Sequence, residues 1–317
     1  MGETREPRPQ RQPPEPPEPP ELRELAVGGV LLARRAMDAG WPRNKLFRRL
    51  TGEGWTRIPG GAWAEPGRVV DLSLCLRAGQ LAIPGLVASH TAAASLWDIE
   101  VLRVEPEFTD LRRSRRRTGA RTHWLALPPQ DIAVRRELRV TTVARTLADL
   151  LRAGPRDEAL VAVDSSLTWR TLGRTRRRPL IGTAAIASAL DAPLPGAVRA
   201  RRRLLLADPR AGSPAETMAR LRMHDAGLHP STQVELLTPN GRRCRPDFLF
   251  REEGVVVEIE GYAYHGSREA HRRDLARYND LAACPEVRVV LRFGAEEVFR
   301  TPESFIAKIK STLAPCR

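Results

Sequence analysis

Three acidic residues stand close together toward the C-terminal end of the chain. They are Asp247, in Arg245-Pro246-Asp247, and Glu258 and Glu260, in Glu258-Ile259-Glu260 after the apolar run Val255-Val256-Val257. Successive side chains of a strand point to opposite faces, so Glu258 and Glu260 project from one face while Val255, Val257 and Ile259 are buried on the other. Two neighbouring carboxylates repel and call for a positive partner. Asp247 arrives from the preceding strand if Pro239-Asn240-Gly241 turns a hairpin between residues 234–237 and 244–250, as an Asn-Gly pair favours. Three oxygen donors converging at a sheet edge suit Mg2+ or Mn2+.

The elements that must position these groups begin near Leu204. Ser213 is a helix N-cap, Pro214 takes the first helical position, and Glu216 follows three residues after the cap, so a helix runs from there to about Asp225 and stops at Gly227. Residues 268–283 read as a second helix and residues 287–293 as a buried strand. Residues 302–313 read as an amphipathic helix with Phe305, Ile306, Ile309 and Leu313 on one stripe. The expected order is α-β-β-β-α-β-α.

That order, with Asp247 on the second strand and Glu258 and Glu260 on the third, resembles the PD-(D/E)XK restriction-endonuclease fold. More narrowly, Val257-Glu258-Ile259-Glu260-Gly261-Tyr262-Ala263-Tyr264-His265, Arg273-Asp274-Leu275-Ala276-Arg277-Tyr278-Asn279-Asp280-Leu281 and Val289-Val290-Leu291-Arg292-Phe293 are similar to the uncharacterised endonuclease-like domain related to very-short-patch-repair (Vsr) nucleases. The resemblance covers roughly residues 205–313. It implies phosphodiester hydrolysis with a divalent metal, in which Asp247 and Glu258 hold Mg2+ (or Mn2+) against the scissile phosphate.

Glu216 either takes part at that metal or serves only as the third residue of a capping box. The lysine that usually follows the strand glutamate by two residues is replaced by Glu260, which cannot neutralise developing negative charge. By the resemblance His265 serves as general acid or base, or else it merely caps the loop into the next helix. Arg277 and Arg292 are candidates for the missing positive charge, and Arg292 is equally a candidate ion partner of Glu258 or Glu260. The latter arrangement predicts a site without metal.

Upstream, residues 22–66 carry two short helical patterns about Gly40, followed by Trp55-Thr56-Arg57-Ile58, Pro59-Gly60-Gly61 and Ala62-Trp63, the pattern of a winged helix-turn-helix. The second helix offers Arg43, Lys45, Arg48 and Arg49 to solvent and turns Leu46, Phe47 and Leu50 inward, with Arg57 on the wing, as a DNA-reading helix would or as an ordinary solvated helix with a basic face would. Residues 67–203 read as a mixed α+β middle domain. Its His90 and His123 lack a second ligand at metal spacing and read as structural. Its basic runs, residues 112–117, 174–178 and 199–203, are either solvated surface or phosphate contacts. Gly28-Gly29-Val30 through Trp63, Ser89-His90-Thr91-Ala92-Ala93 and Val140-Thr141-Thr142-Val143-Ala144-Arg145-Thr146-Leu147 resemble the regulator region of AbiEi-family antitoxins of type IV toxin-antitoxin systems. That implies transcriptional regulation and a cognate toxin as partner.

Composition bounds the rest. With 317 residues and 42% hydrophobic residues the chain has material for two or three cores. Residues 1–21, rich in Pro, Glu and Arg, form a tail that cannot bury a core. The formal charge of +14 points to a polyanion, double-stranded DNA first. An RNA-binding reading is weaker, because only 5% aromatics leaves few stacking surfaces. Cys75, Cys244, Cys284 and Cys316 show neither zinc spacing nor a disulfide framework. With no signal segment and no membrane-length apolar run, a cytoplasmic location is expected. The fold class expected is thus α/β multidomain: a winged helix-turn-helix, a mixed α+β middle domain, and residues 204–317 as a restriction-endonuclease-like α/β domain with a mixed central sheet. The function expected is Mg2+-dependent DNA cleavage, the alternative a non-catalytic DNA-binding regulator of the antitoxin type, and a homodimer is a further possible assembly.

Overall fold

The computed structural model describes residues 18–112, 119–173, 175–261 and 268–314. His265, residues 113–117 and Arg174 of the basic runs, Cys316 and residues 1–17 of the tail lie outside them. Contacts group residues 18–84 with 119–120 in one unit and residues 85–112 and 121–314 in another.

In the first unit, β1 (Val30–Leu32), α1 (Ala33–Asp38), α2 (Arg43–Gly52), β2 (Thr56–Ile58), β3 (Ala62–Ala64) and α3 (Leu72–Ala82) follow in order. Gly40, at φ +99°, makes the turn between the two helices that a residue with a Cβ would resist. The β2–β3 hairpin forms, with glycines at positive φ at its tip, and β1 joins it in a sheet ordered β1-β3-β2. Leu46 and Leu50 are fully buried against Leu31, Trp41, Trp55 and Trp63. Residues 72–82 coil into α3 because the Asp71 carboxylate accepts from Leu74 N–H at 2.8 Å, and Leu74 and Ala78, one turn apart, then pack on Val30 and Ile58. This unit therefore continues past residue 66.

The second unit opens with β4 (Leu86–Ala88), α4 (His90–Leu96), β5 (Glu107–Asp110), β6 (Arg121–His123), β7 (Ile132–Arg135) and β8 (Leu138–Thr141). Their sheet has the order β6-β5-β4-β8-β7, with β5–β6 and β4–β8 parallel. Next come α5 (Val143–Ala153), α6 (Arg156–Leu167), the hairpin β9 (Arg170–Leu172) and β10 (Thr175–Arg177), α7 (Thr183–Ala189) and α8 (Ala197–Leu204). Leu147, Leu151, Leu160 and Val163 make the core between α5 and α6. Arginines fasten these helices together. Arg199 donates to Arg152 O, Arg201 to Leu190 O and Arg203 to the carbonyls of Leu151 and Gly154, at 2.5–2.9 Å, satisfying acceptors that helix ends leave open. Three arginines of the run 199–203 are thus tied to backbone carbonyls, although Arg199, Arg201 and Arg202 remain exposed.

The remaining elements are α9 (Pro214–Asp225), β11 (Ser231–Thr232), β12 (Leu236–Leu237), β13 (Arg243–Cys244), β14 (Phe248–Phe250), β15 (Val255–Glu260), α10 (Arg268–Ala282), β16 (Val289–Gly294), α11 (Ala295–Arg300) and α12 (Pro302–Leu313). A mixed sheet ordered β11-β14-β15-β16 is antiparallel except for the β15–β16 pair. Met218 of α9 and Phe305 and Ile309 of α12 cover Val255, Val257 and Ile259; each such side chain buried contributes about 1.5–3 kcal/mol. Leu281 and Cys284 cover Val256 on the opposite face.

Two expectations change here. The Asn240-Gly241 turn does form, but its strands β12 and β13 make a separate two-stranded ribbon, and Asp247 sits after it, just before β14. No break in packing falls at residue 203: the buried Asp164 of α6 accepts from Arg220 and Thr217 of α9 at 2.7 and 3.0 Å. The chain as a whole is a mixed α/β protein with several open sheets, and among the described residues no helix is long and apolar enough to cross a membrane.

Candidate active site

The pairing of Phe248 with Val257 leaves Asp247 and Glu258 facing each other one step further along β14 and β15. They lock reciprocally. Asp247 N–H donates to Glu258 Oε1 at 3.0 Å, and Asp247 Oδ2 accepts from Ile259 N–H at 2.8 Å. Both residues are buried. One oxygen of each carboxylate is left pointing outward, and both meet the same group: Arg277 of α10 places its guanidinium 2.8 Å from Glu258 Oε2 and 3.9 Å from Asp247 Oδ1. The Arg277 side chain is itself 50% exposed and also donates to Arg245 O at 3.1 Å.

Glu216 reaches the same place from the first turn of α9. Ser213 caps that helix by accepting from Glu216 N–H at 3.1 Å, but the Glu216 carboxylate does not complete a capping box with Ser213 N–H; it accepts from Gly212 N–H at 2.7 Å. The Gln233 amide then bridges, donating to Glu216 Oε2 at 3.1 Å and Asp247 Oδ1 at 2.9 Å. Gln233 holds a left-handed backbone, φ 51°, which costs a residue with a Cβ of order 1–3 kcal/mol.

These carboxylates are under-neutralised. Burial and the neighbouring Asp247 push Glu216 up to about 7, and the same two causes, partly offset by Arg277, push Glu258 up to about 7. Burial also raises Asp247, against the Ile259 N–H bond that lowers it. Buried charge short of compensation attracts a cation.

Glu260 does not join this cluster. Its described partner is Arg292 of β16, which stands opposite Glu258 in the parallel β15–β16 ladder, reaches Glu260 diagonally, and lies 5.6 Å from the Tyr278 ring centroid. Glu258 and Glu260 thus share a face of the strand but have separate partners; in place of the expected three-carboxylate convergence, Asp247 and Glu258 face each other and Glu216 is joined to Asp247 through Gln233. Sequence reasoning missed Gln233 and Arg242, Arg243 and Arg245, which line an open groove of about 570 Å³ running from Asp247 and Arg277. Nothing local marks Gln233; the three arginines stood in view beside the acidic motif.

Of the residues expected to contact DNA, Arg43, Lys45, Arg48 and Arg57 are exposed on α2 and β2. Arg49 is not free. It pairs with Glu21 at 2.6 Å and Glu53 at 2.5 Å and lies 5.0 Å from the Trp41 ring centroid, so it braces the start of the unit.

His90 and His123 are brought together with Glu107, a cluster no sequence spacing announced. Their rings stack at 3.6 Å between centroids.

The chain matches no family model, and no curated protein matches it.

Proposed function

We propose that this chain is a metal-dependent endonuclease acting on double-stranded DNA, with the second unit's C-terminal half as a restriction-endonuclease-like domain and the first unit as a winged-helix DNA reader. The observation that carries this reading is the outward oxygens of two buried residues, Asp247 Oδ1 and Glu258 Oε2, facing the one cationic group of Arg277. The donor set fits Mg2+ or Mn2+: hard oxygens of two carboxylates whose other oxygens are fixed by backbone N–H groups, with Glu216 linked in through Gln233.

Asp247 and Glu258 would hold the ion. When bound, it supplies a Lewis acid for the phosphoryl oxygen and lowers the pKa of a coordinated water. The protein's own groups do the rest. Arg277, long, half exposed and anchored only at its tip, can leave the carboxylates for the phosphate and so take the role of the lysine that Glu260 displaces. Arg242, Arg243 and Arg245 along the groove offer phosphate contacts that orient the strand, and Arg43, Lys45, Arg48 and Arg57 offer a second basic surface for the duplex.

The two carboxylate–arginine pairs, Glu258–Arg277 and Glu260–Arg292, favour a second reading, a non-catalytic DNA-binding regulator of the AbiEi antitoxin type whose acidic residues are neutralised by arginine. Plasmid cleavage separates the two. Purified full-length protein nicks or cuts with Mg2+ or Mn2+, and Glu258→Ala abolishes cutting while DNA binding persists. Absence of cleavage across metals, with specific binding to its own promoter, would establish the regulator.

A further inference from the structure

We propose that His90 Nε2, His123 Nε2 and Glu107 form a zinc site, separate from the Asp247 carboxylates and open to a cavity on one side. The three residues arrive from three elements. His90 opens α4 directly after β4, Glu107 begins β5, and His123 ends β6. Thr109 pairs with His123 in the parallel β5–β6 ladder, and Glu107 lies two residues before Thr109, so the glutamate and His123 share a face. His123 Nε2 lies 2.8 Å from Glu107 Oε2, and one ligand atom from each of the three residues falls within 4.8 Å of the others. Tetrahedral ligation at about 2.0–2.2 Å places donors roughly 3.3–3.6 Å apart, and because the rings stack at 20° the more open His123 ring must turn out of the stack to aim its in-plane lone pair at the shared ion.

The decisive observation is His90. The residue is 3% exposed, its Nδ1 faces Ser89 Oγ at 3.0 Å, and its buried Nε2 has no hydrogen-bond partner. A buried polar atom left unsatisfied costs about 1–3 kcal/mol and calls for an explanation. With the Nδ1 proton donated to Ser89, Nε2 carries a lone pair into the cluster, the tautomer a metal ligand needs. Its backbone, at φ 51°, is held in the left-handed region, which fixes the ring beside that of His123.

The outer groups are those of a ligand site. Thr91 Oγ1 donates to Glu107 Oε1 at 2.6 Å, orienting the carboxylate and leaving Oε2 turned to the histidines. Ser89 does the same for His90. A hydrogen-bonded His123–Glu107 pair alone accounts for neither the stacked second ring nor its orphaned nitrogen. Two histidines and one carboxylate match a zinc centre with a fourth position for water or a ligand, and here that position faces a cavity of about 420 Å³. Arg103 and Arg121 line the cavity together with Glu105 and Glu158, so the fourth position suits water or a small polar ligand.

The test is zinc binding by the full-length protein after chelator treatment. Competition with a chromogenic chelator should give one zinc per chain held at micromolar or tighter affinity, and Co2+ in its place should give the visible spectrum of a four- or five-coordinate nitrogen–oxygen site. His90→Ala, His123→Gln and Glu107→Gln should each weaken zinc at least tenfold, and Thr91→Val about tenfold, while Glu258→Ala leaves zinc unchanged. Because His90 is deeply buried, His123→Gln, at the more open end, decides the matter if His90→Ala does not fold. No zinc at micromolar concentration, zinc that survives His123→Gln, or zinc lost with Glu258→Ala would each overturn the proposal.

Discussion

Arg277 stands 2.8 Å from Glu258 Oε2, filling from α10 the position where two buried carboxylates need a positive charge. A guanidinium there competes with a divalent ion, yet after displacement it becomes available to a phosphate. Arg277→Ala therefore has opposite effects on two measurements. Mn2+ affinity by calorimetry rises, and cleavage rate at saturating metal falls. If both fall together, Arg277 supports the site only structurally. The loss of stability is small, on the order of 1 kcal/mol, since the side chain is half exposed.

The raised carboxylates give stability a pH dependence. Glu216 and Glu258 stand near 7 in the folded protein against an ordinary value of 4.5, so between those values the folded state binds more protons than the unfolded one. The stabilisation this represents is complete below 4.5 and is lost as pH rises through about 7. In metal-free buffer, Glu258→Gln should lose the part of this slope that Glu258 supplies. Relative to wild type, the variant gains up to a few kcal/mol on moving from about pH 5 to about pH 8, read by urea denaturation. A parallel slope in the two proteins would place the uncompensated charge elsewhere.

Gln233→Leu removes the donor shared by Glu216 and Asp247. Their oxygens are then left facing each other, at a cost of about 1–3 kcal/mol that is larger at alkaline pH. Mg2+ or Mn2+ should restore part of the lost melting temperature. A variant equally stable in the absence of metal would show that the bridge carries nothing.

On α2, Arg43→Ala, Lys45→Ala and Arg48→Ala should each lower the slope of log affinity against log salt by roughly 0.9 where that residue meets a phosphate of duplex DNA. Arg49→Ala should leave that slope unchanged and lower the melting temperature, because its partners are Glu21 and Glu53. Filter binding across a salt series, with a thermal melt of each variant, distinguishes the two kinds of arginine.

Local chemistry made some of this architecture readable in advance. Ser213, Pro214 and Glu216 mark the start of α9 because caps are short-range devices, and the alternation through residues 255–260 marks β15 because its two faces meet different cores. What escaped depends on pairing at a distance. β1 is three residues long and exists only because β3 lies beside it. Asp247 faces Glu258 through the β14–β15 register, and the adjacent Asn-Gly ribbon turned out to be separate. Glu107 and His123, distant in sequence, meet through a parallel ladder that no spacing rule reports.

Arg203 shows what the arginine bias does within the fold. One of its nitrogens serves two backbone carbonyls, those of Leu151 and Gly154, while Arg199 and Arg201 each hold another helix end. A lysine keeps the charge but replaces the planar, weakly hydrated guanidinium with a compact, strongly hydrated ammonium on a flexible stem. Exchanging these arginines for lysine would leave the formal charge of +14 untouched and still loosen the helical body. Electrostatic reach and mechanical cohesion are thus written in the same residue type at different addresses, and either can be altered without the other.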